Sequence, residues 1–280
     1  MKSALVIGAS RGIGRRIALT LSKNNYQVGV AAKTTDHTLE LPGTIYSVTN
    51  EIETSGRTAL ALPCNVRDEQ QIQNAIQSCL EAFGGLDFVV YNAGAILWKK
   101  VLDTPVKRFD LMQEVNVRGA YIMIQKVLPY FLEKKAGKIL LVCPPIYSRF
   151  FKGKVPYSVG KVGMTVLVHG LATELENTGV SISGLWPATA IESHVTTVKN
   201  VPQELMRKSS IFADACLHIA EETNLSLING KALIDEDFLR AKGVTDFSAY
   251  RCDPDKEPPR MMPKAFPSLL VEGDSLTSKL

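Results

Sequence analysis

A tyrosine and a lysine four residues apart form the pair in this sequence with the clearest capacity for chemistry. The spacing of Tyr157 and Lys161 places both side chains on one face of a helix. A free phenol has a pKa of about 10 and is a poor acid–base catalyst near neutral pH. A neighbouring ammonium favours the phenolate, and each unit of pKa depression represents about 1.4 kcal/mol. The pair therefore predicts that Tyr157 exchanges a proton with a substrate oxygen while Lys161 lowers the tyrosine pKa.

A second pair has the same spacing, so spacing alone does not identify the site. Tyr130 and Lys134 come late in a predicted helix, just after Pro129, which is typical of a structural tyrosine on an amphipathic helix. Tyr157 instead follows Pro156, a residue type favoured in the first turn of a helix, and precedes small residues that permit close packing. This context favours Tyr157 as the reactive residue.

A glycine-rich turn near the start of the chain is a candidate phosphate site. Glycine allows positive φ angles and a close approach of backbone to ligand, and a helix N-terminus offers unpaired N–H groups to an anion. The spacing Gly-x-x-x-Gly-x-Gly between a predicted strand and a predicted helix indicates a dinucleotide site rather than an empty turn. The residues of this candidate site are Gly8, Ser10, Arg11, Gly12, Ile13 and Gly14.

Short apolar runs alternate along the chain with amphipathic helical segments. Strands buried on both faces have continuous apolar sequences, and their alternation with helices implies right-handed crossovers between parallel strands. We therefore predict an α/β fold of the Rossmann type, a doubly wound parallel seven-stranded sheet flanked by helices on both faces. The predicted strands are residues 4–7, 27–31, 58–64, 88–91, 138–142, 180–185 and 232–234. The predicted helices are residues 12–23, 44–55, 69–83, 106–134, 159–177 and 211–221.

Two segments depart from this alternation. Residues 188–210 carry no strand pattern, and we expect them to close over a cleft as a lid. From about residue 250 the chain is rich in proline and polar residues, which predicts an extended, weakly ordered tail. The expected organisation is a single Rossmann-type domain over residues 1–250 and a C-terminal tail over residues 251–280.

Several motifs, in this order, resemble the short-chain dehydrogenase/reductase family over about residues 1–245. They are the glycine turn, Tyr91-Asn92-Ala93-Gly94 after the fourth strand, Asn116 in a long helix and Tyr157-x-x-x-Lys161 after the fifth strand. The resemblance implies an oxidoreductase in which Tyr157 moves a proton while hydride passes to or from C4 of a nicotinamide. It also implies that Lys161 holds the cofactor ribose, that Asn116 supports a water relay to Lys161, and that Asn92 and Thr189 belong to the cofactor site.

The end of the second predicted strand favours NADP(H) over NAD(H). An NAD-binding member normally has Asp or Glu there to hold the ribose hydroxyls, whereas this sequence reads Val30-Ala31-Ala32-Lys33. Lys33 and Arg11 supply two cations without a carboxylate, which suits a 2′-phosphate. Asn65 stands where the family usually has an aspartate beside the adenine, so it keeps a hydrogen bond there without the charge.

One catalytic position departs from the family pattern. The family usually carries a serine about 13 residues before the tyrosine to bind the substrate oxygen, and here that position is Pro144. Loss of such a donor costs on the order of 10²–10³ in rate. Ser148 is the candidate replacement, and Cys143 is a weaker donor. The run Val142-Cys143-Pro144-Pro145 resembles the branch of the family that contains hydroxysteroid dehydrogenase-like protein 2, without that branch's sterol-carrier domain.

These observations predict an NADP(H)-dependent oxidoreductase that interconverts a carbonyl and an alcohol on an apolar or lipid-like substrate. One alternative is reduction of a C=C bond in an enoyl-CoA. Another is a non-catalytic NADP-binding sensor or assembly protein, for which Pro144 is the best support. Retention of Tyr157 favours carbonyl chemistry. Tyr147, Phe150 and Phe151 are candidates for an apolar substrate mouth, with core packing or a dimer contact as equal alternatives.

The resemblance also implies a homo-oligomer. In the family, the helix around Asn116 and the helix after Tyr157 form a dimer interface. Residues 163–171 are rich in small and apolar side chains, as expected of closely packed helices.

Composition excludes several other classes of protein. With 280 residues, 45% hydrophobic and 21% charged, the chain can build a sizeable core. The net charge of +4 is scattered without a basic run, which argues against nucleic-acid binding. Five separated cysteines without a CxxC pair, and four histidines without metal-ligand spacing, predict neither a disulfide framework nor a metal site. No apolar run reaches the roughly 18–20 residues that span a bilayer.

The last three residues, Ser278-Lys279-Leu280, match a peroxisomal import signal. They follow the proline-rich tail, where an import receptor would reach them. The first predicted strand begins at residue 4, and we expect no N-terminal targeting segment before it. Provided the source is eukaryotic, we expect a peroxisomal protein.

Overall fold

The computed structural model of the protein describes residues 1–36 and 43–269. Within these ranges the strands are β1 (Lys2–Ile7), β2 (Tyr26–Ala32), β3 (Ala59–Pro63), β4 (Phe88–Tyr91), β5 (Gly137–Leu141), β6 (Val180–Trp186), β7 (Ala190–Ile191), β8 (Met206–Arg207) and β9 (Ala232–Ile234). The α-helices are α1 (Gly12–Lys23), α2 (Ile45–Thr54), α3 (Glu69–Phe83), α4 (Val106–Gln113), α5 (Gly119–Lys134), α6 (Val155–Glu174), α7 (His194–Val198), α8 (Ser210–Glu221) and α9 (Asp235–Ala241).

Seven strands pair in parallel in the order β3-β2-β1-β4-β5-β6-β9. The chain winds outward in one direction from β1 to β3 and in the other from β4 to β9, so the order reverses between β1 and β4. Ligands of such sheets bind at the carboxyl ends of the strands beside this reversal. The predicted doubly wound seven-stranded sheet is confirmed. The short strands β7 and β8 form a separate parallel pair.

The central strand β1 divides its side chains between two cores. Ala4 and Val6 pack in the layer that contains residues of α1, α2 and α8, whereas Leu5 and Ile7 pack with residues of α3, α5 and α6. Successive side chains of a strand point to opposite faces, and all four of these are fully buried. The double burial explains why residues 4–7 of the strand are all apolar.

Three predicted elements differ from those in the structure. Helix α6 begins at Val155 rather than at residue 159, because Pro156 fits the first helical turn, where its missing N–H is not needed. The helix predicted over residues 106–134 is interrupted by a π-helical turn at Glu114–Arg118, which contains Asn116. Residues 188–210, predicted without strands, contain β7, α7 and β8.

Residues 251–269 are extended, but they pack against the domain. The Cys252 N–H donates to the Met206 carbonyl at 3.2 Å, and the Met261 N–H donates to the Ala188 carbonyl at 2.8 Å. The buried Arg207 forms ion pairs with Glu236 and with Glu257 of this segment. The proline content predicted a weakly ordered tail instead. The contacts that hold this segment could not be predicted from local composition, because their partners lie far away in sequence. The domain boundary at residue 250 stays a prediction.

In the ranges that the structure describes, no helix is long and apolar enough to cross a membrane. The same ranges contain no group of His, Cys, Asp and Glu side chains arranged to hold a metal ion.

Candidate active site

A cleft of about 970 Å³ opens at the carboxyl ends of the central strands. It runs from the glycine turn after β1 to a group of aromatic side chains around Tyr157. The predicted site residues that line it are Gly8, Ser10, Arg11, Gly12, Ile13, Lys33, Asn65, Asn92 and Tyr157. The structure therefore brings together most of the residues predicted from sequence. The exceptions are Gly14, Asn116, Lys161 and Thr189, each of which is buried.

The glycine turn is held by contacts that no larger residue would allow. Gly8 has φ +88°, and a Cβ there would lie 2.5 Å from the Ala93 backbone nitrogen. Gly14 has no room for a side chain either, because its Cβ would lie 2.1 Å from the Gly8 carbonyl oxygen. The Asn92 side-chain amide donates to the same carbonyl at 2.8 Å. Gly14 and Asn92 thus fix the shape of the turn, and Gly8 and Gly12 form its surface in the cleft.

The N-terminus of α1 is suited to an anionic ligand. No side chain caps the helix, and its first turn contains no acidic residue. The first N–H groups of a helix lack partners within the helix and carry a partial positive charge. Gly12 and Ile13, which line the cleft, belong to this first turn. The arrangement fits the pyrophosphate of a dinucleotide.

The cationic side chains predicted to select the cofactor lie at the same end of the cleft. The Arg11 guanidinium donates to the Thr34 hydroxyl at 2.8 Å, and its Nε is buried without a partner among the described residues. Burial lowers the pKa of Arg11. Lys33 is exposed and lines the cleft beside the end of β2. Arg11 and Lys33 thus place two cations at this end of the cleft, and the preference for NADP(H) stays a prediction.

Tyr157 lies in the first turn of α6 and is only 2% exposed. Its ring packs against Phe150, at 6.2 Å between ring centres, and edge-on against Trp98, at 6.4 Å. Burial in this aromatic environment raises the pKa of the Tyr157 phenol well above its ordinary value. The phenol is therefore protonated at neutral pH in this arrangement.

Lys161 is buried one helical turn below Tyr157, and its ammonium donates to the Val142 carbonyl at 2.7 Å. Burial lowers the pKa of Lys161 to about 8. The sequence analysis expected Lys161 to lower the Tyr157 pKa. In this structure the ammonium is directed to the Val142 carbonyl, and its effect on the tyrosine pKa stays a prediction.

Asn116, in the π-helical turn, fastens the loop that follows β4. Its side-chain oxygen accepts from the Ala95 N–H at 2.9 Å, and its amide nitrogen donates to the Ala95 carbonyl at 3.1 Å. A Cβ at Gly94 would lie 3.5 Å from the Asn116 side-chain oxygen and 3.7 Å from the Lys161 nitrogen. The asparagine and the lysine thus border the same glycine, and the predicted water relay between them stays a prediction.

The position of the expected serine carries no side-chain hydroxyl, and the candidate replacement Ser148 does not line the cleft. The Pro144 carbonyl accepts from the Thr165 hydroxyl at 2.6 Å. Ser148 is exposed and lies outside the cleft lining. Cys143 is fully buried against the sheet, and burial raises the pKa of its thiol to about 11. The Ser148 expectation is therefore wrong, because the loop turns this side chain to solvent. Tyr147 is the hydroxyl-bearing residue of this loop that lines the cleft.

Thr189, predicted to belong to the cofactor site, is not among the residues that line the cleft, and its role stays a prediction. It is 1% exposed, and its buried hydroxyl has no partner among the described residues. The neighbouring Ala188 fixes the loop instead, since its N–H donates to the Asp235 carboxylate at 2.8 Å. Burial raises the pKa of Asp235 to about 7. Ser193 and Thr196 are the hydroxyl-bearing residues that line the cleft after β7.

Sequence reasoning missed most of the opposite end of the cleft. Its lining comes from separate loops and from the C-terminal segment, and no local spacing connects these residues. Tyr147 and Phe150 line the cleft, as one of the alternatives predicted, and both also pack in a buried hydrophobic cluster. The lining residues not singled out from sequence include Trp98, Arg149, Lys154, Trp186, Ser193, Lys199, Met261 and Met262.

The second Tyr-x-x-x-Lys pair lies outside the cleft. The Tyr130 hydroxyl accepts from the Leu86 N–H at 3.3 Å. Lys134 donates to the Leu86 carbonyl at 2.9 Å and forms an ion pair with Asp87. This pair holds the start of β4 against α5, so the choice of Tyr157 by its sequence context agrees with the structure.

The sequence matches the short chain dehydrogenase family over residues 2–203. Hydroxysteroid dehydrogenase-like protein 2 of Mus musculus is 39% identical over 256 residues, which cover 90% of this chain and 52% of that protein. The Homo sapiens protein of the same name is 38% identical over 256 residues, covering 90% of this chain and 60% of that protein. The chain thus spans between half and two thirds of the length of these relatives.

Two solved structures show the same architecture. A short chain dehydrogenase of Mycobacterium thermoresistibile superimposes with a TM-score of 0.86 at 35% identity, covering 92% of this chain and 93% of that one. A 7α-hydroxysteroid dehydrogenase in complex with NADH and 7-oxo glycochenodeoxycholic acid superimposes with a TM-score of 0.72 at 24% identity, covering 83% of this chain and 92% of that one, and supports the fold alone. With its sheet order, glycine turn and Tyr157–Lys161 pair, this chain belongs to the short chain dehydrogenase family of oxidoreductases, which bind a nicotinamide cofactor.

Proposed function

We propose that this protein is an NADP(H)-dependent oxidoreductase that interconverts a carbonyl and an alcohol on an apolar or lipid-like substrate. The observation that carries the proposal is the position of Tyr157, which lies in the cleft wall between the phosphate-binding turn and an aromatic pocket. The nicotinamide supplies or accepts the hydride when the cofactor is bound. Burial keeps the proton on the Tyr157 phenol near neutral pH but also makes the phenol a weaker acid. Proton transfer to the substrate oxygen would therefore need the assistance of the nearby Lys161 ammonium.

The far end of the cleft supports an apolar substrate. Phe150 and Trp186 pack edge-on at 5.7 Å between ring centres. Met261 and Met262 of the C-terminal segment close the same wall. Aromatic and methionine side chains offer a large and adaptable apolar surface. This composition favours a hydrocarbon body beside the reacting carbonyl.

Tyr147 is the residue that we propose to replace the missing serine. It lines the cleft between β5 and α6, and its hydroxyl donates to the Met262 sulfur at 3.2 Å. A thioether is a weak acceptor, so a carbonyl oxygen of the substrate would be a better partner for this hydroxyl. To bind the substrate, the Tyr147 hydroxyl would donate to the substrate carbonyl oxygen instead of to the Met262 sulfur.

The preference for NADP(H) is tested by titrating the protein with NADPH and NADH. We expect Lys33→Ala to raise the Kd for NADPH about tenfold and to leave the Kd for NADH unchanged, because only NADPH carries the 2′-phosphate. Lys23→Ala, which removes an exposed lysine at the end of α1, is the matched control. An unchanged NADPH preference in Lys33→Ala would overturn this part of the proposal.

Turnover of ketones, aldehydes and enoyl thioesters with NADPH tests the reaction class. We expect reduction of carbonyl compounds with apolar chains. Reduction of the enoyl thioesters alone would favour C=C chemistry. Tight NADPH binding without turnover of any class would favour the non-catalytic sensor, for which Pro144 at the position of the expected serine is the supporting observation.

We also propose that the protein is peroxisomal. The support is the tripeptide Ser278-Lys279-Leu280 at the end of this sequence, which lies outside the described residues. An import receptor that binds such tripeptides would be the partner. An N-terminal fluorescent fusion should be punctate in cells and co-localise with a peroxisomal marker. Removal of the three residues should make it diffuse, and an unchanged distribution would contradict the proposal.

A homo-oligomer formed through α5 and α6 is the remaining proposal. Tyr121 on α5, and Val159 and Val166 on α6, are each at least half exposed, so both helices present apolar side chains to the outside. Exposed apolar surface on neighbouring helices is typical of a subunit interface. Light scattering should give a mass above one chain for the wild type and a lower mass for Val166→Asp. A monomeric wild type would contradict the proposal.

A further inference from the structure

The substrate end of the cleft contains cations as well as aromatic rings. Arg149, Lys154 and Lys199 line it, together with Trp98 and Phe150. No aspartate or glutamate is among the lining residues in the described part of the chain. An apolar substrate alone gives no reason for three positive charges at this end.

Two of these cations converge on one indole ring. The Lys199 ammonium lies 3.7 Å from the centre of the Trp98 ring, and the Lys154 ammonium lies 5.5 Å from the same centre. Lys154 also lies 4.3 Å from the centre of the Phe150 ring. Neither lysine forms a salt bridge with a carboxylate within residues 1–36 and 43–269. The rings orient the two ammonium groups, and their charges are not neutralised.

The positive charges of Lys154 and Lys199 repel each other in this arrangement. Burial, and then the charge of Lys199, lower the pKa of Lys154. An anion between the two groups would offset their mutual repulsion and accept hydrogen bonds from both. An anionic ligand is therefore the partner that these charges favour.

The cofactor does not account for this pair. The groups suited to its phosphates are the N-terminus of α1, Arg11 and Lys33, which lie at the glycine-turn end of the cleft. Trp98, which both ammonium groups approach, packs edge-on against Tyr157 at 6.4 Å. The lysines thus lie on the side of Tyr157 where the substrate must enter.

We propose that the substrate is an amphipathic anion whose carboxylate or phosphate oxygens are held between Lys154 and Lys199. Its carbonyl would lie at Tyr157, and its hydrocarbon body would lie along Trp186 and Met262. This inference rests on the proposed carbonyl chemistry for the position of the carbonyl. It adds the charged group and the residues that select it.

The test compares two pairs of probes, each with one anionic and one neutral member that share the same acyl chain. One pair is a medium-chain oxo-fatty acid and its methyl ester. The other is a β-oxoacyl-CoA and the N-acetylcysteamine thioester with the same acyl chain. Steady-state kinetics with NADPH give KM and kcat for each probe. Quenching of intrinsic fluorescence gives binding without turnover, because both tryptophans of the chain, Trp98 and Trp186, line the cleft.

The variant Lys154→Gln/Lys199→Gln should raise the KM and the Kd for an anionic probe about tenfold while its neutral partner changes less than about twofold. High salt should weaken binding of the anionic probes only. Lys100→Gln/Lys152→Gln removes two exposed lysines outside the cleft lining and controls for the loss of net charge. It should leave all four probes unaffected.

The outcomes separate this inference from the proposed function. Selectivity for the free acid identifies a carboxylate, and selectivity for the CoA thioester identifies a phosphate. Equal binding of the charged and neutral partners, unchanged in Lys154→Gln/Lys199→Gln, would overturn the inference even if every probe is reduced. Charge-dependent quenching without turnover would support the anion site and contradict the carbonyl chemistry.

Discussion

Substitution of the buried Lys161 by methionine should change how the stability of the protein depends on pH. The lysine is 4% exposed, and burial lowers its pKa to about 8. In the unfolded chain its pKa is about 10.4. Between these two values the unfolded state binds more protons than the folded state, so the free energy of unfolding rises with pH. Lys161→Met removes this contribution.

The magnitude follows from the two pKa values. Burial of the charged lysine costs about 3 kcal/mol below pH 8, and the cost disappears above about pH 10.4. From about pH 7.5 to about pH 9.5, the wild type should gain about 2 kcal/mol of unfolding free energy relative to Lys161→Met. The variant also loses the hydrogen bond to the Val142 carbonyl, which adds an offset of about 1–3 kcal/mol that does not vary with pH.

Urea denaturation at several pH values in this window measures the difference. Lys152→Met, which removes an exposed lysine, controls for the loss of one positive charge. A stability difference between the wild type and Lys161→Met that stays constant from about pH 7.5 to 9.5 would refute the reasoning. So would a difference that changes in the opposite direction.

Three further predictions concern the cleft, the central sheet and the C-terminal segment. Tyr147→Phe should lower kcat for carbonyl reduction about 10- to 100-fold at unchanged NADPH affinity, and an unchanged kcat would exclude its proposed hydroxyl role. Gly119→Ala should lower the free energy of unfolding by about 2–3 kcal/mol, because its Cβ would lie 2.1 Å from the Tyr91 hydroxyl oxygen. In urea denaturation, the double variant Gly119→Ala/Tyr91→Phe should recover part of this loss. No recovery would contradict the assigned clash. Arg207→Met should lower the free energy of unfolding by about 1–3 kcal/mol, because Glu236 loses one of its two ion-pair partners and keeps Arg240. It should also expose residues 251–269 to limited proteolysis, and unchanged digestion would show that the ion pair with Glu257 does not hold this segment.

The sequence predicted the sheet and the phosphate-binding end of the cleft because both depend on local patterns. Continuous apolar runs identified the buried strands, and three glycines at fixed spacing identified the turn after β1. Tyr157 was distinguished from Tyr130 by Pro156, a local signal for the start of a helix. Each of these inferences required only a few neighbouring residues.

The substrate end could not be predicted because its contacts join distant parts of the chain. Met261 reaches Ala188 through a backbone hydrogen bond that no sequence pattern encodes. The contact between the Lys199 ammonium and the Trp98 ring also joins distant parts of the chain, and no sequence pattern predicts it. Thr189 lies outside the cleft lining, in a loop that is held by Asp235, a residue that follows the last strand of the sheet. Local patterns identified elements here, but not the orientation of their side chains.

The proton-transfer role of Tyr157 is tested most directly by hydride transfer in a single turnover. The rate is measured as the fall in NADPH absorbance after enzyme saturated with NADPH is mixed with a reducible ketone or aldehyde. Tyr157→Phe should slow this step by about 10²–10⁴-fold while the Kd for NADPH stays unchanged, and Tyr130→Phe should transfer hydride at the wild-type rate. Transfer in Tyr157→Phe at a rate close to that of Tyr130→Phe would contradict the account.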